Sequence, residues 1–264
     1  MTSITDLPSE SQIVALLRAA AFPGGIRCPK CRRRYHYKVD ERYFCKNCRY
    51  KFSLKGAMGF KGTKLSWEDL WILLYAWAKQ LSPQDTAAVI DLSHVTIRRW
   101  FRRFAVLLPE MKQQLKGTVE MDEAFIGKQR HHNQKIVLGA IERATGNTLL
   151  EIGKDREQGT LDRFILKHIQ ERSLIWTDAW TGYEGLTEFF GYGHEVANHS
   201  LGHFGPTNRI ENVWMRFRRF IRKVYHHVWK EHLPRILREF QARISNPEAF
   251  NSPINFLSYV FQVS

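Results

Sequence analysis

No stretch of this chain is long and apolar enough to cross a bilayer. The most apolar run, Leu70–Ala78, is nine residues between Asp69 and Lys79, where a spanning helix needs about 20. The opening residues MTSITDLPSESQIVALLRAA lack the basic start and long apolar core of a secretory signal. Both absences lead to the expectation of a cytoplasmic protein. Cysteine is scarce as well, four among 264 residues. In a reducing compartment four thiols are better metal ligands than disulfide partners. Acidic charge is also short, with 26 Asp and Glu against 40 Lys and Arg and a formal net charge of +14. The imbalance is concentrated, leaving a net +12 over residues 1–117 and +2 over 118–264. Such a concentration suits a polyanion, because neutralising phosphates releases condensed counterions. Membrane surfaces and acidic proteins attract the same charge, so motifs must decide. With 44% hydrophobic residues the chain is able to bury two or three small cores.

The four cysteines are ordered. Cys28-x2-Cys31 and Cys45-x2-Cys48 are separated by thirteen residues, the spacing of a zinc ribbon in which two knuckles close one tetrahedral Zn²⁺ site. A closed site has no open position, so the metal is expected to be structural. An iron–sulfur centre of the rubredoxin type would use the same ligands. Tyr35–Val39 and Arg42–Phe44 alternate as a hairpin turning at Asp40-Glu41. From Arg27 to Lys64 there are thirteen basic residues and two acids, which makes the ribbon a candidate for touching nucleic acid.

Before the ribbon, residues 1–26 predict a short helical lead-in. After it, residues 65–110 predict helices. Ser66 caps an apolar one, and SPQDTAAVIDLSHVTIRRWFRRF gives helix, turn, helix. The second begins after Ser93, with Val95, Ile97, Trp100, Phe101 and Phe104 on its packing side and Arg98, Arg99, Arg102 and Arg103 on its basic side. A helix-turn-helix would put that helix in the major groove of double-stranded DNA; an ordinary helical hairpin is the simpler alternative.

At Thr118 the pattern becomes stranded. Thr118–Ile126, Lys135–Glu142 and Asn147–Ile152 read as consecutive strands. Helix 159–170, strand 174–177, helix 182–190, strand 194–197 and a basic helix from Asn208 to Lys223 follow. That order predicts an α/β domain over 117–230 with a mixed five-stranded sheet, followed by a helical tail, 231–264, expected to pack on it or to mediate self-association. Three carboxylates fall at telling places. Asp122 is mid-strand, Asp178 follows the fourth strand, and Glu211 opens the basic helix. Together they could hold two Mg²⁺ (or Mn²⁺) ions for phosphodiester chemistry, with Glu120 as fallback ligand. The simpler roles are helix capping for Asp178 and a favourable helix-terminus field for Glu211. Asn208, Arg209, Arg218 and Arg222 on the same helix are candidate DNA contacts.

The segments Val119-Glu120-Met121-Asp122-Glu123, Trp176-Thr177-Asp178-Ala179-Trp180-x-Gly182-Tyr183 and Asn208-Arg209-Ile210-Glu211-Asn212-x-Trp214 resemble the IS1595 insertion-sequence transposases, the ISXO2-like members most closely. Ribbon and helix-turn-helix precede them in the same order, so the resemblance spans roughly residues 25–230. It implies an RNase H-like catalytic domain with the triad Asp122, Asp178 and Glu211. It also implies terminal-repeat binding, metal-dependent DNA cleavage and strand transfer, a dimer or larger assembly on DNA, and residence at the nucleoid. Where the family commonly has lysine, seven residues after the third acid, this chain has Arg218. Two other readings fit the same residues, a zinc-ribbon regulator carrying an inactive catalytic relic and an RNase H-like nuclease without strand transfer.

Overall fold

The computed structural model describes residues 7–110, 113–128, 134–178, 191–197, 208–226 and 228–262. The chain forms two compact units, residues 1–109 with 248–264, and residues 110–247. No helix among the described residues is long and apolar enough to cross a membrane.

The first unit opens with α1 (Glu10–Ala21), started by a capping box in which Ser9 and Gln12 satisfy each other's backbone N–H groups. The cysteine segment follows, with a three-stranded antiparallel sheet of β1 (His36–Val39), β2 (Arg42–Cys45) and β3 (Lys51–Ser53). The sequence pattern predicts only the first two strands. The third exists because Phe52 stacks on Tyr43 with ring centroids 5.5 Å apart. After the short helix α2 (Leu54–Ala57) come α3 (Trp67–Ala78), α4 (Pro83–Ala87) and α5 (His94–Leu107), the last three opened by Ser66, Ser82 and Ser93. Trp77 of α3 is buried against Phe104 of α5 at 5.7 Å and against Phe256 at 4.7 Å.

Phe256 belongs to the last helix. The expected tail 231–264 divides between the two units, its final helix (Pro253–Gln262) packing against α1 and α3. Local periodicity gives that segment an apolar face but no address. Phe256, Leu257 and Val260 find theirs in the core beneath Trp77.

The second unit is a five-stranded mixed sheet, as the pattern predicts, in the order β6-β5-β4-β7-β8. The strands are β4 (Thr118–Ile126), β5 (Lys135–Glu142), β6 (Thr148–Ile152), β7 (Leu174–Thr177) and β8 (Gly193–Val196). β4, β5 and β6 are antiparallel neighbours, while β7 and β8 run parallel to β4. One face, through Val119, Met121 and Leu138, packs on α6 (Gln158–His168) by way of Leu161, Phe164 and Ile165. The other face carries α7 (Asn208–Phe220), which continues as a π-helical turn (Ile221–Tyr225), and α8 (Leu233–Ser245). α7 buries Ile210, Val213, Trp214, Phe217 and Phe220, each contributing roughly 1.5–3 kcal/mol of gross transfer free energy. This face of the sheet holds the candidate chemistry. The last helix is α9 (Pro253–Gln262), the ninth α-helix among the described residues.

Candidate functional site

β4 is the central strand, and period-2 alternation puts Glu120 and Asp122 on the α7 side while Glu123 faces the opposite side. Glu123 there meets Arg156 at 3.5 Å. Glu120 is wholly buried. Its Oε2 accepts the backbone N–H groups of Arg209 (2.8 Å) and Ile210 (3.1 Å), and its Oε1 lies 3.4 Å from Arg143. Both donors belong to the first turn of α7, where helix N–H groups lack internal partners and carry positive potential. Burial raises the Glu120 pKa, and these partners oppose the rise. Glu120, the fallback ligand of the sequence reading, is thus occupied in fixing the start of α7 to β4.

The second clamp is three residues past Glu211. The Trp214 indole Nε1–H donates to Asp122 Oδ2 at 2.9 Å, and the backbone N–H of Glu123 donates to Asp122 Oδ1 at 2.7 Å. Gly139 pairs with Asp122 across β4 and β5. A Cβ built on Gly139 would stand 2.5 Å from two ring carbons of Trp214. Only glycine leaves room for the indole to lie on the sheet and reach the carboxylate. In sequence Trp214 is one member of an apolar stripe; its donor role depends on a contact 92 residues away. Asp122 is half-buried, and its pKa is pushed up to about 6 by that burial, with the charges of Glu123 and Asp178 adding to the rise.

Asp178 directly follows β7. The registered parallel pair of β4 and β7 ends at Glu120 opposite Trp176, and Asp122 and Asp178 each lie two residues beyond that pair. Oδ1 of Asp178 is buried without a hydrogen-bond donor. Glu211 sits in the first turn of α7 on its exposed side, a helical turn before Trp214. The two aspartates are electrostatic neighbours. The three carboxylates do not close on one point, for among the described residues only the four cysteines bring three or more ligand atoms within 4.8 Å. Ala179, Trp180, Gly182, Tyr183 and the helix expected at 182–190 lie outside the described residues.

Those cysteines do converge. Cys28 and Cys48 have sulfurs 3.6 Å apart, as do Cys31 and Cys45, and all four lie within 4.8 Å with no disulfide. A tetrahedral zinc site with bonds of about 2.3 Å sets its sulfurs about 3.8 Å apart, so the cluster has the dimensions of a zinc ribbon. Four adjacent thiols cannot ionise together without a cation. Cys31 is pulled down to about 6, the backbone N–H of Arg33 being the largest cause, while burial pushes Cys48 up to about 12. The knuckles share one backbone path. Arg32 and Arg49 donate their N–H groups to the carbonyls of Cys28 (2.9 Å) and Cys45 (2.8 Å), at φ 61° and 57°.

Comparison with known families matches residues 114–244 to the ISXO2-like transposase domain and residues 8–51 to the transposase zinc-ribbon domain. The two matches fall in the order in which the sheet unit and the cysteine cluster occur here. The chain belongs to the IS1595 family of transposases. It is also similar, at 25% identity over 96% of each chain, to a protein of Halobacterium salinarum described as an uncharacterized protein in transposable element ISH50.

Within this transposase the basic residues divide by environment. Val95, Arg98, Arg99 and Arg102 recur at helical spacing and are exposed together on α5. Arg103 is turned inward. Its Nη2 donates to the carbonyls of Gly59 (3.2 Å) and Lys61 (3.1 Å), and its guanidinium lies 4.3 Å from the Trp100 ring centroid. Proposed from sequence as a DNA contact, it ties α5 to the segment before α3. Asn208 and Arg218 on α7 and Arg222 on its π-helical turn are exposed, whereas the exposed Arg209 reaches back to the Arg143 carbonyl.

Proposed function

We propose that this chain is an active DNA transposase that binds the terminal repeats of its element and catalyses metal-dependent strand cleavage and strand transfer. The observation that carries the reading is the double attachment of α7 to β4, by Glu120 at its first turn and by Trp214 at Asp122. A helix with a lone acid amid arginines is thereby held over the strand that bears the central aspartate, beside the end of the strand followed by Asp178. The strand order and the two helical layers are those expected of an RNase H-like domain.

The residues fit divalent metal. The Asp122 pKa is raised by burial and by like charges, and Asp178 has a buried oxygen without a hydrogen-bond donor, an oxygen donor set suited to a hard divalent cation. Asp122, Asp178 and Glu211 would hold Mg²⁺ or Mn²⁺, which supplies a lowered pKa for the attacking hydroxyl and charge neutralisation at the leaving oxygen. Trp214 fixes the orientation of Asp122, and Glu120 fixes the height of Glu211 above the sheet. Arg218 and Arg222, farther along the helix, would track DNA phosphates toward the carboxylates. Zn²⁺ on the four cysteines would hold the ribbon rigid, and the exposed face of α5 would enter the major groove. Because two element ends must be joined, a dimer or larger assembly on DNA follows, in the cytoplasm at the nucleoid. The test is cleavage and joining of the flanking terminal repeats with Mg²⁺. Wild type that binds these ends but never nicks them would favour the regulator reading, and nicking without joined products would favour a simple nuclease.

A further inference from the structure

Two backbone positions that suit glycine are both occupied by arginine. Arg32 and Arg49 each follow the second cysteine of a knuckle, at φ 61° and 57°. In that left-handed region the Cβ of an L-residue crowds the following carbonyl, a penalty that glycine escapes. Asp40, the other left-handed non-glycine residue of the ribbon, has φ 52° at the β1–β2 turn, where aspartate is an ordinary choice. Nothing in the knuckle geometry calls for arginine. Both side chains are exposed, and neither pairs with an acid among the described residues. Acids are also scarce in the segment, with thirteen basic residues against only Asp40 and Glu41 between Arg27 and Lys64. A strained residue kept twice at equivalent sites points to what its side chain does outside the fold.

We infer that Arg32 and Arg49 form a paired phosphate grip by which the cysteine knuckles hold the backbone of duplex DNA. This rests on the proposed reading of the chain as a DNA-binding transposase. Guanidinium suits phosphate because its planar fork donates two parallel N–H bonds. The four sulfurs lie within 4.8 Å, so the two arginines leave the chain one residue past two ligands of a common centre. A rival role is charge compensation, since four thiolates around one divalent cation carry excess negative charge. The roles separate experimentally, because a charge serving the metal governs metal retention and one serving DNA governs salt-dependent binding.

The experiment compares full-length wild type with Arg32→Gly/Arg49→Gly on a duplex carrying the terminal repeats, by anisotropy titration across a salt series. Zinc retention is measured in parallel against a chromophoric chelator. Glycine relaxes both backbones, so the thermal midpoint should hold or rise. Each lost phosphate contact lowers the slope of log affinity against log salt by about 0.9, so the double variant should lose close to two in slope with zinc retention unchanged. Arg32→Lys/Arg49→Lys should keep the slope. An unchanged slope in the glycine variant, or a changed one that tracks zinc loss, overturns the inference while leaving the functional reading intact. Wild type that binds no duplex defeats the functional reading, and this inference with it.

Discussion

The Trp214 indole N–H donates to Asp122 across 2.9 Å, joining a helix and a strand whose residues lie 92 positions apart. Outer partners that orient ligand carboxylates typically govern about 10–100-fold of metal affinity or activity. Trp214→Phe keeps an aromatic ring but removes the donor, together with part of the indole that lies over Gly139. We expect unchanged secondary structure by circular dichroism, with Mn²⁺ binding by calorimetry and end cleavage both weakened by about 10-fold or more. Full metal affinity in this variant would mean that the indole serves packing alone.

Gly139 tests the same geometry from below. A methyl there would stand 2.5 Å from two ring atoms of a buried indole, so Gly139→Ala must shift Trp214 or bend β5. Overpacking of this kind costs typically about 1–3 kcal/mol. The denaturation midpoint should fall, and Mn²⁺ affinity should fall with it. A variant as stable as wild type would show that the space exists.

Glu120→Ala removes the buried anion that caps α7. Two N–H groups lose their acceptor, and Arg143 loses its partner. A loss of about 1–3 kcal/mol in chemical denaturation is expected. In hydrogen exchange, the amides of Arg209 and Ile210 should open first. Unchanged exchange there would refute the clamp.

Burial, with the charges of Glu123 and Asp178, raises Asp122 to about 6. The folded chain therefore holds this proton more tightly than the unfolded chain does. The associated stability is full below the ordinary aspartate range and is lost as pH rises through about 6. Without added divalent metal, Asp122→Asn should melt a few degrees above wild type at pH 8, and the gap should close near pH 4. Equal midpoints at pH 8 would contradict the burial of that charge.

Arg103 and Arg102 differ by one position and should differ in kind. Arg103→Ala breaks two carbonyl contacts and a stack on Trp100, so it should lower the thermal midpoint. Arg102→Ala should leave stability unchanged and lower the salt slope of DNA binding by about one. The reverse pattern would put Arg103 on the DNA.

What sequence made legible was whatever local spacing encodes. The cysteine pairs fix a cluster because each knuckle is four residues long. The strands reveal themselves by alternation, and the helices by serine caps such as Ser66, Ser82 and Ser93. Hidden were the contacts between distant segments. Trp214 looked like stripe because a buried tryptophan and a donating one have the same periodicity. Glu120 looked like a spare ligand because a strand pattern cannot show that a helix terminus will arrive above it. Phe256 carried no sign that it would settle under Trp77. Arg103 shares the basic spacing of its neighbours, and only the Gly59–Lys61 carbonyls distinguish it.

The central claim is that Asp122 acts with metal on DNA, and one assay addresses it most directly. Terminal-repeat duplexes and a supercoiled target are incubated with Mg²⁺ and either wild type or Asp122→Asn, with binding followed in the same samples. Wild type should nick at the repeat boundary and yield joined products, while the variant binds equally and yields neither. Cleavage and joining that persist in Asp122→Asn would contradict the assignment.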